Sequence, residues 1–272
     1  MTGPLLTREV HEALRAAQRA GHGSLECSLD LRRSVTAVDV DAAGWTWQGQ
    51  RYPWMQRCRD RTIYHWTGAS FEPVARFGGS HLKLVPTPWG PPVFEIDGIK
   101  MMVSARLSPW EDARHKVELV QPQEKAVLDT CGGLGYYAAW CLALGAGKVL
   151  SYEKNPDVLW LRDLNPWSPA AGGVLSLVHG DVSAEVRSLP GACVDAILHD
   201  PPRFGIAGEL YSQDFYGELA RVLRRKGRLF HYVGTPNALT SGRDVPREVS
   251  GRLRKAGFAV ERVGDGVLAT RR

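Results

Sequence analysis

The C-terminal part of the sequence predicts an α/β fold: a largely parallel sheet of seven strands, covered by helices on both faces and ending in an antiparallel hairpin. From residue 126 onward, short apolar segments alternate with helical patterns across short connections. The last two apolar segments instead follow each other directly around Gly264-Asp265-Gly266, which is typical of a hairpin. A glycine-rich turn after the first strand indicates a small-ligand site in this sheet.

That first strand spans Ala126–Asp129 and ends in a carboxylate. Gly132, Gly133 and Gly135 follow it, and a helix is predicted over Gly135–Leu144. Glycine permits positive φ and a close approach of backbone to ligand, and a helix N-terminus presents unpaired N–H groups. The stretch therefore predicts a binding site for a small polar ligand.

The other elements continue the alternation. The further strands are predicted over Lys148–Tyr152, Gly173–Val178, Val194–His199, Arg228–Tyr232, Phe258–Val263 and Val267–Thr270. The further helices are predicted over Pro156–Asp163, Ser183–Arg187, Ser212–Leu223 and Pro246–Lys255. A helix capped by Ser108, with Pro109 in its first turn, leads into the sheet and ends near Leu119.

Residues 1–106 have a different period and are predicted to form a separate β-rich module, with the second domain over residues 107–272. A helix is predicted over Leu6–Ala20, with Thr7 as its cap. From Leu25 to about Val103, apolar and polar residues alternate, and Asp97-Gly98 marks a hairpin turn. We interpret the module as the part that recognises the substrate.

The composition, 44% hydrophobic and 23% charged, is that of a soluble globular protein, and no run of about eighteen apolar residues predicts a membrane span. The five cysteines are odd in number and lack CxxC spacing, so we expect no metal site, no disulfide framework and a cytoplasmic location. A net charge of +5 is compatible with a polyanionic partner. The oligomeric state has no signal in the sequence.

Acidic residues stand at or just after the ends of four predicted strands: Asp129, Glu153, Asp181 and Asp200. In a doubly wound sheet these ends form the ligand crevice. Glu153 follows the glycine turn by about twenty residues, which suits ribose hydroxyls. Asp181 can accept from an exocyclic adenine amine, and Asp129 can meet a cationic amino-acid group. With the adjacent Lys154 and Val182, this set suits S-adenosylmethionine better than NAD.

NAD remains a competing cofactor at this stage. The stretch from Gly133 to Ala138 satisfies GxGxxA, and Glu153 suits the ribose of NAD. An NAD-dependent oxidoreductase is therefore an alternative, against which stand the carboxylate that ends the first strand, the terminal hairpin and the motif described next.

Asp200-Pro201-Pro202-Arg203-Phe204 follows a buried strand directly. Two prolines make the loop rigid. Asp200 and the carbonyl of Pro201 can both accept from one N–H₂ group and orient its nitrogen toward an electrophilic methyl group. We take Asp200, Pro201, Arg203 and Phe204 as the candidate catalytic residues. Neighbouring His199 and His231 are interpreted as core residues in the first instance, and as substrate contacts in the second.

The array of Asp129 to Gly135, Glu153, Asp181 and Asp200 to Arg203 resembles class I S-adenosylmethionine-dependent methyltransferases. DPPR is similar to the [DNS]PP[YFW] signature of enzymes that methylate exocyclic amines of nucleic-acid bases. More closely, the chain resembles a family of predicted methyltransferases best known in archaea, through the DPPR motif and the segments Ala207–Ser212, Phe230–Tyr232, Asn165–Ser168 and Ser28–Leu31.

This resemblance implies a Rossmann-like methyltransferase domain, S-adenosyl-L-methionine as cofactor, and methylation of N4 of cytidine in small-subunit ribosomal RNA. The fourth position of the signature is usually aromatic, so that its ring stacks on a flipped base. Here Arg203 stands at that position and Phe204 follows. Arg203 would stack through its guanidinium plane or hold a phosphate, or Phe204 would take over the stacking.

Two rival functions remain open. Aminopropyltransferases that make polyamines share this sheet and use decarboxylated S-adenosylmethionine, but they need an acidic pocket for a polycationic amine. A non-catalytic RNA-binding assembly factor would keep the fold and lose the chemistry. The basic runs Arg221–Arg228 and Arg252–Lys255 are interpreted as solvated faces, with a phosphate track as the alternative.

Overall fold

The computed structural model describes residues 3–234 and 244–272. The chain divides into two compact units, Met1–Trp110 with Trp160–Trp167 and Glu111–Leu159 with Ser168–Arg272. Among the described residues, the first unit contains three small antiparallel sheets and the second contains one sheet of seven strands. No helix within the described residues is long and apolar enough to cross a membrane.

The elements of the first unit are short. They are β1 (Leu5–Leu6), α1 (Arg8–Arg19), β2 (Ser24–Cys27), β3 (Thr36–Val40), β4 (Gly44–Trp47), β5 (Gln50–Pro53), β6 (Tyr64–Trp66), β7 (Phe71–Pro73), β8 (Ala75–Phe77), β9 (His81–Val85), β10 (Val93–Ile96) and β11 (Ile99–Lys100). The sheets have the strand orders β1-β6-β7, β2-β3-β4-β5 and β11-β10-β9-β8.

The predicted start of the first helix at Leu6 is wrong. Thr7 has extended backbone and its hydroxyl accepts a hydrogen bond from the N–H of Val10, so the helix begins at Arg8. Leu5 and Leu6 pair with β6 instead and are buried there. Their apolar character fits a helix face and a buried strand equally, which is why the period alone misassigned them.

The predicted hairpin at Asp97-Gly98 is confirmed. Strands β10 and β11 pair antiparallel around it, and both turn residues have positive φ, +49° for Asp97 and +78° for Gly98. Two-residue hairpin turns favour this backbone because its twist matches that of the strands. Buried residues of the sheets β1-β6-β7 and β2-β3-β4-β5 form a hydrophobic core of this unit. Within it, Trp45 stacks on Tyr52 with ring centroids 4.4 Å apart.

The second part of the chain alternates strands and helices as predicted. Its elements are α2 (Pro109–Val120), β12 (Ala126–Asp129), α3 (Tyr136–Ala143), β13 (Lys148–Glu153), α4 (Pro156–Leu164), β14 (Leu175–His179), α5 (Val182–Glu185), β15 (Val194–His199), α6 (Gln213–Val222), β16 (Leu223–Tyr232), α7 (Val245–Lys255), β17 (Phe258–Val263) and β18 (Gly266–Arg271). Short 3₁₀ turns occupy Val186–Ser188 and Gly208–Tyr211.

The strand order of the large sheet is β14-β13-β12-β15-β16-β18-β17. The first five strands in this order pair in parallel, whereas β18 pairs antiparallel with both of its neighbours, β16 and β17. The predicted α/β fold with seven strands and a terminal hairpin is therefore confirmed. Fully buried Leu128, Ile197 and Leu229 lie on three adjacent central strands, as expected for a sheet covered on both faces.

Strand β16 begins five residues earlier than the predicted Arg228. The chain leaves α6 at Leu223 with extended backbone, and Leu223 pairs with Val194 before a register irregularity. The basic run that follows Leu223 therefore belongs to a strand and not to a helix face. A segment dominated by arginine carries no apolar alternation, which explains why the sequence did not reveal this strand end.

Candidate active site

The parallel register brings the predicted acidic strand ends to one edge of the sheet. Asp129 at the end of β12 pairs with Ser151 of β13 and Leu198 of β15. Glu153 and Asp200 end or follow those two neighbouring strands. The carboxyl ends of parallel strands form the ligand crevice of such sheets. These three acidic residues therefore lie at the same crevice.

The glycine turn is tied to the neighbouring strand. The N–H of Gly132 donates to the carbonyl of Tyr152 at 2.7 Å, and the N–H of Gly135 donates to the carbonyl of Gly132 at 2.7 Å. Gly133 has φ +50° and Gly135, the N-cap residue of α3, has φ +81°. Only glycine adopts the left-handed region without steric cost, which is the reason for its presence at both positions.

Glu153 is fixed by two backbone donors. Its Oε2 accepts from the N–H of Gly133 at 2.9 Å, and its Oε1 accepts from the N–H of Asn155 at 2.8 Å. The side chain of Asn155 in turn accepts from the N–H of Asp157 in the first turn of α4. The carboxylate therefore connects the glycine turn to the start of the next helix and is oriented before any ligand binds.

Asp181 caps the short helix α5 and forms an ion pair. Its Oδ1 accepts from the N–H and the hydroxyl of Ser183 at 2.9 and 2.6 Å, and its Oδ2 lies 2.7 Å from Nζ of Lys154. Partial burial raises the pKa of Asp181, but the hydrogen bonds from Lys154 and Ser183 outweigh it and keep the pKa below its usual value. The N–H of the following residue, Val182, donates no hydrogen bond within the described residues.

Asp129 lies deeper than the other acids. It is fully buried, and its Oδ2 accepts from the hydroxyl of Ser151 at 2.8 Å. Ser151 is its direct neighbour on β13, so the register of the sheet itself supplies this donor. A buried carboxylate needs such partners, because taking its charge out of water is costly.

Asp200, Pro201 and Pro202 follow β15 directly, and we call this segment the DPP corner. This corner is joined to the helix that follows the glycine turn. Oδ2 of Asp200 accepts a hydrogen bond of 2.9 Å from the hydroxyl of Tyr137, the second residue of α3. Burial raises the pKa of Asp200 above its usual value, although Lys116 and the Tyr137 hydroxyl act in the opposite direction. The second carboxylate oxygen and the carbonyl of Pro201 accept no hydrogen bond from the part of the chain that is described.

The residues after Pro201 shape the loop. The carbonyl of Pro202 accepts from the hydroxyl of Tyr211 at 3.1 Å, and the ring of Phe204 packs edge-on against that of Tyr211 with centroids 5.4 Å apart. The carbonyl of Arg203 accepts from the N–H of Ile206 at 2.7 Å and so closes a turn. Phe204 is thus a packing residue of the loop, and the half-buried side chain of Arg203 stands beside it.

A cluster around Lys116 was not found from the sequence. Lys116 on α2 is 5% exposed, its Nζ lies 2.7 Å from Oδ2 of Asp112, and it stands 4.1 Å from the centre of the Tyr232 ring. Asp200 and Asp265 also act electrostatically on this ammonium. The spacing of Asp112 and Lys116 on a predicted helix was a signal for their pairing, but Tyr232 and Asp265 come from distant segments that only the fold brings together.

The histidines beside this corner are core residues. Nδ1 of His199 lies 2.7 Å from the hydroxyl of Thr130, and its Nε2 donates to the carbonyl of Leu210 at 3.0 Å. Nε2 of His231 lies 2.9 Å from the hydroxyl of Tyr216, and the two imidazole centroids are 4.3 Å apart. Both rings are fully buried, and burial lowers the pKa of His199 to about 4, so it stays neutral near pH 7.

Several arginines of the two basic runs brace the fold. Arg221 donates to the carbonyls of Leu189 and Val186, and Arg224 forms an ion pair with Asp195. The next such arginines, Arg228 and Arg252, donate to the carbonyls of Leu119 and Tyr211. These contacts favour a structural role for the four side chains over a phosphate track.

The sheet order, the antiparallel terminal hairpin and the glycine turn beside an acidic strand end define the class: the second unit has the Rossmann-like fold of class I methyltransferases. No profile of a known protein family matches the chain. The uncharacterised protein MJ1233 of Methanocaldococcus jannaschii is 43% identical over 196 residues, which are 70% of this chain and 67% of that protein. The chain therefore belongs to the family of this archaeal protein.

Two further similarities concern polyamine enzymes. Polyamine aminopropyltransferase 2 of Streptomyces coelicolor is 39% identical over 64 residues, which are 23% of this chain and 12% of that protein. The solved spermidine synthase of Thermotoga maritima is 16% identical over 73% of this chain and 72% of its own, with a TM-score of 0.56. At that identity the structural likeness shows a shared fold.

Proposed function

We propose that the protein is an S-adenosylmethionine-dependent methyltransferase that acts on an exocyclic amine, N4 of cytidine in small-subunit ribosomal RNA. The observation that carries the proposal is the DPP corner. Asp200 is held by Tyr137 through one oxygen, and within residues 3–234 and 244–272 its other oxygen and the Pro201 carbonyl accept no hydrogen bond. The closeness of this corner to the glycine turn supports a transfer between a ligand in the turn and an amine at the corner.

The residues of the crevice suit the cofactor. Gly132, Gly133 and Gly135 leave room for close approach, and Glu153, pre-oriented by two backbone donors, has the acceptor capacity for ribose hydroxyls. The Val182 N–H and the carboxylate of Asp181 suit an adenine edge, with Lys154 and Asp129 as further contacts. Bound there, S-adenosylmethionine would supply an electrophilic methyl group.

The chain's own part in the reaction is orientation and proton transfer. Oδ1 of Asp200 and the carbonyl of Pro201 would each accept a hydrogen bond from one N–H group of the target amine. Together they would direct the nitrogen lone pair toward the electrophilic methyl group. As the nitrogen gains a bond it becomes acidic, and Oδ1 of Asp200 would take the proton that leaves. Arg203 would stack on the base or hold a neighbouring phosphate, and Phe204 would support the loop from its packed position.

An RNA substrate is supported by the resemblance stated for the sequence and by a net charge of +5. In the first unit Arg57 and Arg59 are exposed, and Arg15 stacks on Trp54 with its guanidinium carbon 4.4 Å from the ring centre. Arginines beside aromatic rings are typical of single-stranded nucleic-acid binding. We assign substrate recognition to this unit on these grounds.

The decisive test combines binding and product analysis. Calorimetric titration should give binding of S-adenosylmethionine to the wild type and to Asp200→Ala, whereas only the wild type should methylate RNA. Mass spectrometry of ribosomal RNA nucleosides from cells with and without the gene should locate the methylated cytidine. Absence of cofactor binding would instead favour the non-catalytic assembly factor, and full turnover by Asp200→Ala would remove the proposed acceptor.

Aminopropyl transfer to a polyamine is the second candidate. The local identity to Polyamine aminopropyltransferase 2 and the acids Asp112 and Asp265 near Asp200 favour it. Incubation with labelled S-adenosylmethionine and, separately, with its decarboxylated form distinguishes the two reactions. Transfer of an aminopropyl group from the second compound to a diamine would replace the first proposal.

A further inference from the structure

One carboxylate binds the ammonium of Lys116 directly, and two others, Asp200 and Asp265, act on it electrostatically. Lys116 is buried, its Nζ is 2.7 Å from Oδ2 of Asp112, and it lies 4.1 Å from the centre of the Tyr232 ring. Asp265 acts on this ammonium electrostatically from the exposed turn between β17 and β18, where its backbone carbonyl accepts from the N–H groups of Val233 and Gly234. We call the group of Asp112, Asp200, Asp265 and Tyr232, which interacts with the Lys116 ammonium, the acidic recess.

The ammonium of Lys116 is strongly held in this recess. Burial by itself lowers the pKa of a lysine, yet attraction by Asp200, Asp112 and Asp265 leaves the pKa of Lys116 above its usual value. An aromatic face adds cation–π attraction to these charges. Carboxylates and an aromatic ring are the groups that would recognise an alkylammonium ion, and here a side chain of the protein supplies that ion.

The charge of the incoming amine decides whether the recess admits it. Aliphatic amines resemble the lysine side chain and are protonated at neutral pH, because their pKa is about 10. The exocyclic amine of a nucleobase is uncharged. A protonated amine at Asp200 would therefore compete with Lys116 for the same carboxylates, whereas an uncharged amine needs only the acceptors of the DPP corner.

We propose that Lys116 is a specificity-determining residue of the amine site: its ammonium fills the acidic recess beside Asp200 and excludes protonated aliphatic amines, so that the site accepts an uncharged amine. The inference rests on the proposed function in that it names the class of amine. Lys116 acts by occupying the recess and by meeting the charge of Asp200. Asp112, four residues earlier on α2, anchors it.

Substitution of Lys116 by alanine removes three methylene groups and the ammonium, which together correspond to a propylammonium ion. We expect Lys116→Ala to bind propylammonium and 1,4-diaminobutane at least tenfold more tightly than the wild type in calorimetric titration. Both amines should raise its melting temperature, while uncharged 1-propanol should not. Lys125→Ala, which removes a lysine that donates to the Val120 carbonyl elsewhere, is the matched control and should bind neither amine.

Lys116→Met fills the recess without charge and should also bind neither amine, while Lys116→Ser provides a second opened recess if the alanine variant does not fold. Tight binding of 1,4-diaminobutane by the wild type would overturn the inference, as would a folded Lys116→Ala or Lys116→Ser protein that gains no amine binding. These titrations need no cofactor or RNA. Failure of the methyltransferase proposal, seen as absent S-adenosylmethionine binding, is therefore recognised separately from failure of this one.

Discussion

The hydroxyl of Tyr137 donates a 2.9 Å hydrogen bond to Oδ2 of Asp200, and so connects the helix after the glycine turn with the DPP corner. The two residues are 63 positions apart in the chain. The bond fixes the orientation of the carboxylate by engaging one of its two oxygens. It also stabilises the ionised form of Asp200 against burial, which raises the pKa of this carboxyl.

Tyr137→Phe should therefore slow methyl transfer without weakening cofactor binding. A hydrogen bond to a charged group contributes about 1.5–3 kcal/mol, so we expect a loss of roughly ten- to a hundredfold in kcat. Because the pKa of Asp200 should rise further, activity should be lost at a higher pH as the solution is acidified. A pH–rate profile and a titration with S-adenosylmethionine measure the two effects.

Tyr52→Phe is a suitable control, because its hydroxyl donates a hydrogen bond to Gln50 in the first unit. It should leave the profile unchanged. An acid limb at the same pH in wild type and Tyr137→Phe would mean that the hydrogen bond does not govern the ionisation of Asp200.

Glu153→Gln tests the proposed ribose contact. The amide has a single acceptor oxygen, so either the Gly133 N–H or the Asn155 N–H must face an N–H₂ group. We expect the Kd for S-adenosylmethionine to rise at least tenfold, measured by calorimetry. Exposed Glu124→Gln should leave the Kd unchanged, and equal affinity of the Glu153 variant would place the ribose elsewhere.

Gly135→Ala tests the turn itself. With φ +81° this residue holds the left-handed conformation at the start of α3, where a Cβ costs about 1–2 kcal/mol. We expect a loss of that size in the free energy of unfolding and a weaker affinity for the cofactor. Urea unfolding and calorimetry provide the measurements.

Gly251→Ala is the control with the opposite expected sign. Gly251 lies inside α7, and a Cβ there meets nothing within 4 Å. Since alanine is the better helix former by about 1 kcal/mol, this variant should be more stable than the wild type. Destabilisation by both substitutions alike would show that the φ of Gly135 is not the cause.

Much of the second unit could be predicted because each of its elements is specified by a short, continuous stretch of sequence. Strand Ala126–Asp129 is apolar and short, its turn needs glycine, and α3 follows at once. The small sheets of the first unit are different: the alternation of apolar and polar residues predicts strands there, but the pairing of β6 with Leu5–Leu6 is a long-range contact. Period and propensity carry no information on such partners.

The same division holds for the candidate site. Residues that follow strand ends, such as Glu153 and Asp200, were identifiable because topology alone brings strand ends together. Tyr137 is the second residue of α3, and the direction of its side chain toward Asp200 depends on how α3 packs against the sheet. Lys116 precedes the first strand of the large sheet and Asp265 lies in its last turn, so only the fold brings their charges within electrostatic range.

The buried pair His199 and His231 should make the protein sensitive to mild acid. Burial lowers the pKa of His199 to about 4 and lowers that of His231 as well, whereas the pKa of a histidine in the unfolded chain is about 6.5. Between these values the unfolded state binds the additional protons, so the free energy of unfolding falls as the pH falls from 6.5 toward 4. His199 alone accounts for a loss of about 3 kcal/mol across that window.

His199→Gln keeps an amide donor for the Leu210 carbonyl and an acceptor for Thr130, but it does not titrate. The variant should be less stable at pH 7, because amide and imidazole differ in shape, yet its stability should decline by about 2–3 kcal/mol less between pH 7 and pH 4.5. Urea unfolding at both pH values measures the difference, and exposed His22→Gln should show the wild-type decline. Equal declines in His199→Gln and wild type would mean that the imidazole is protonated in the folded state, with Nδ1 donating to the Thr130 hydroxyl while that hydroxyl donates to the Leu198 carbonyl.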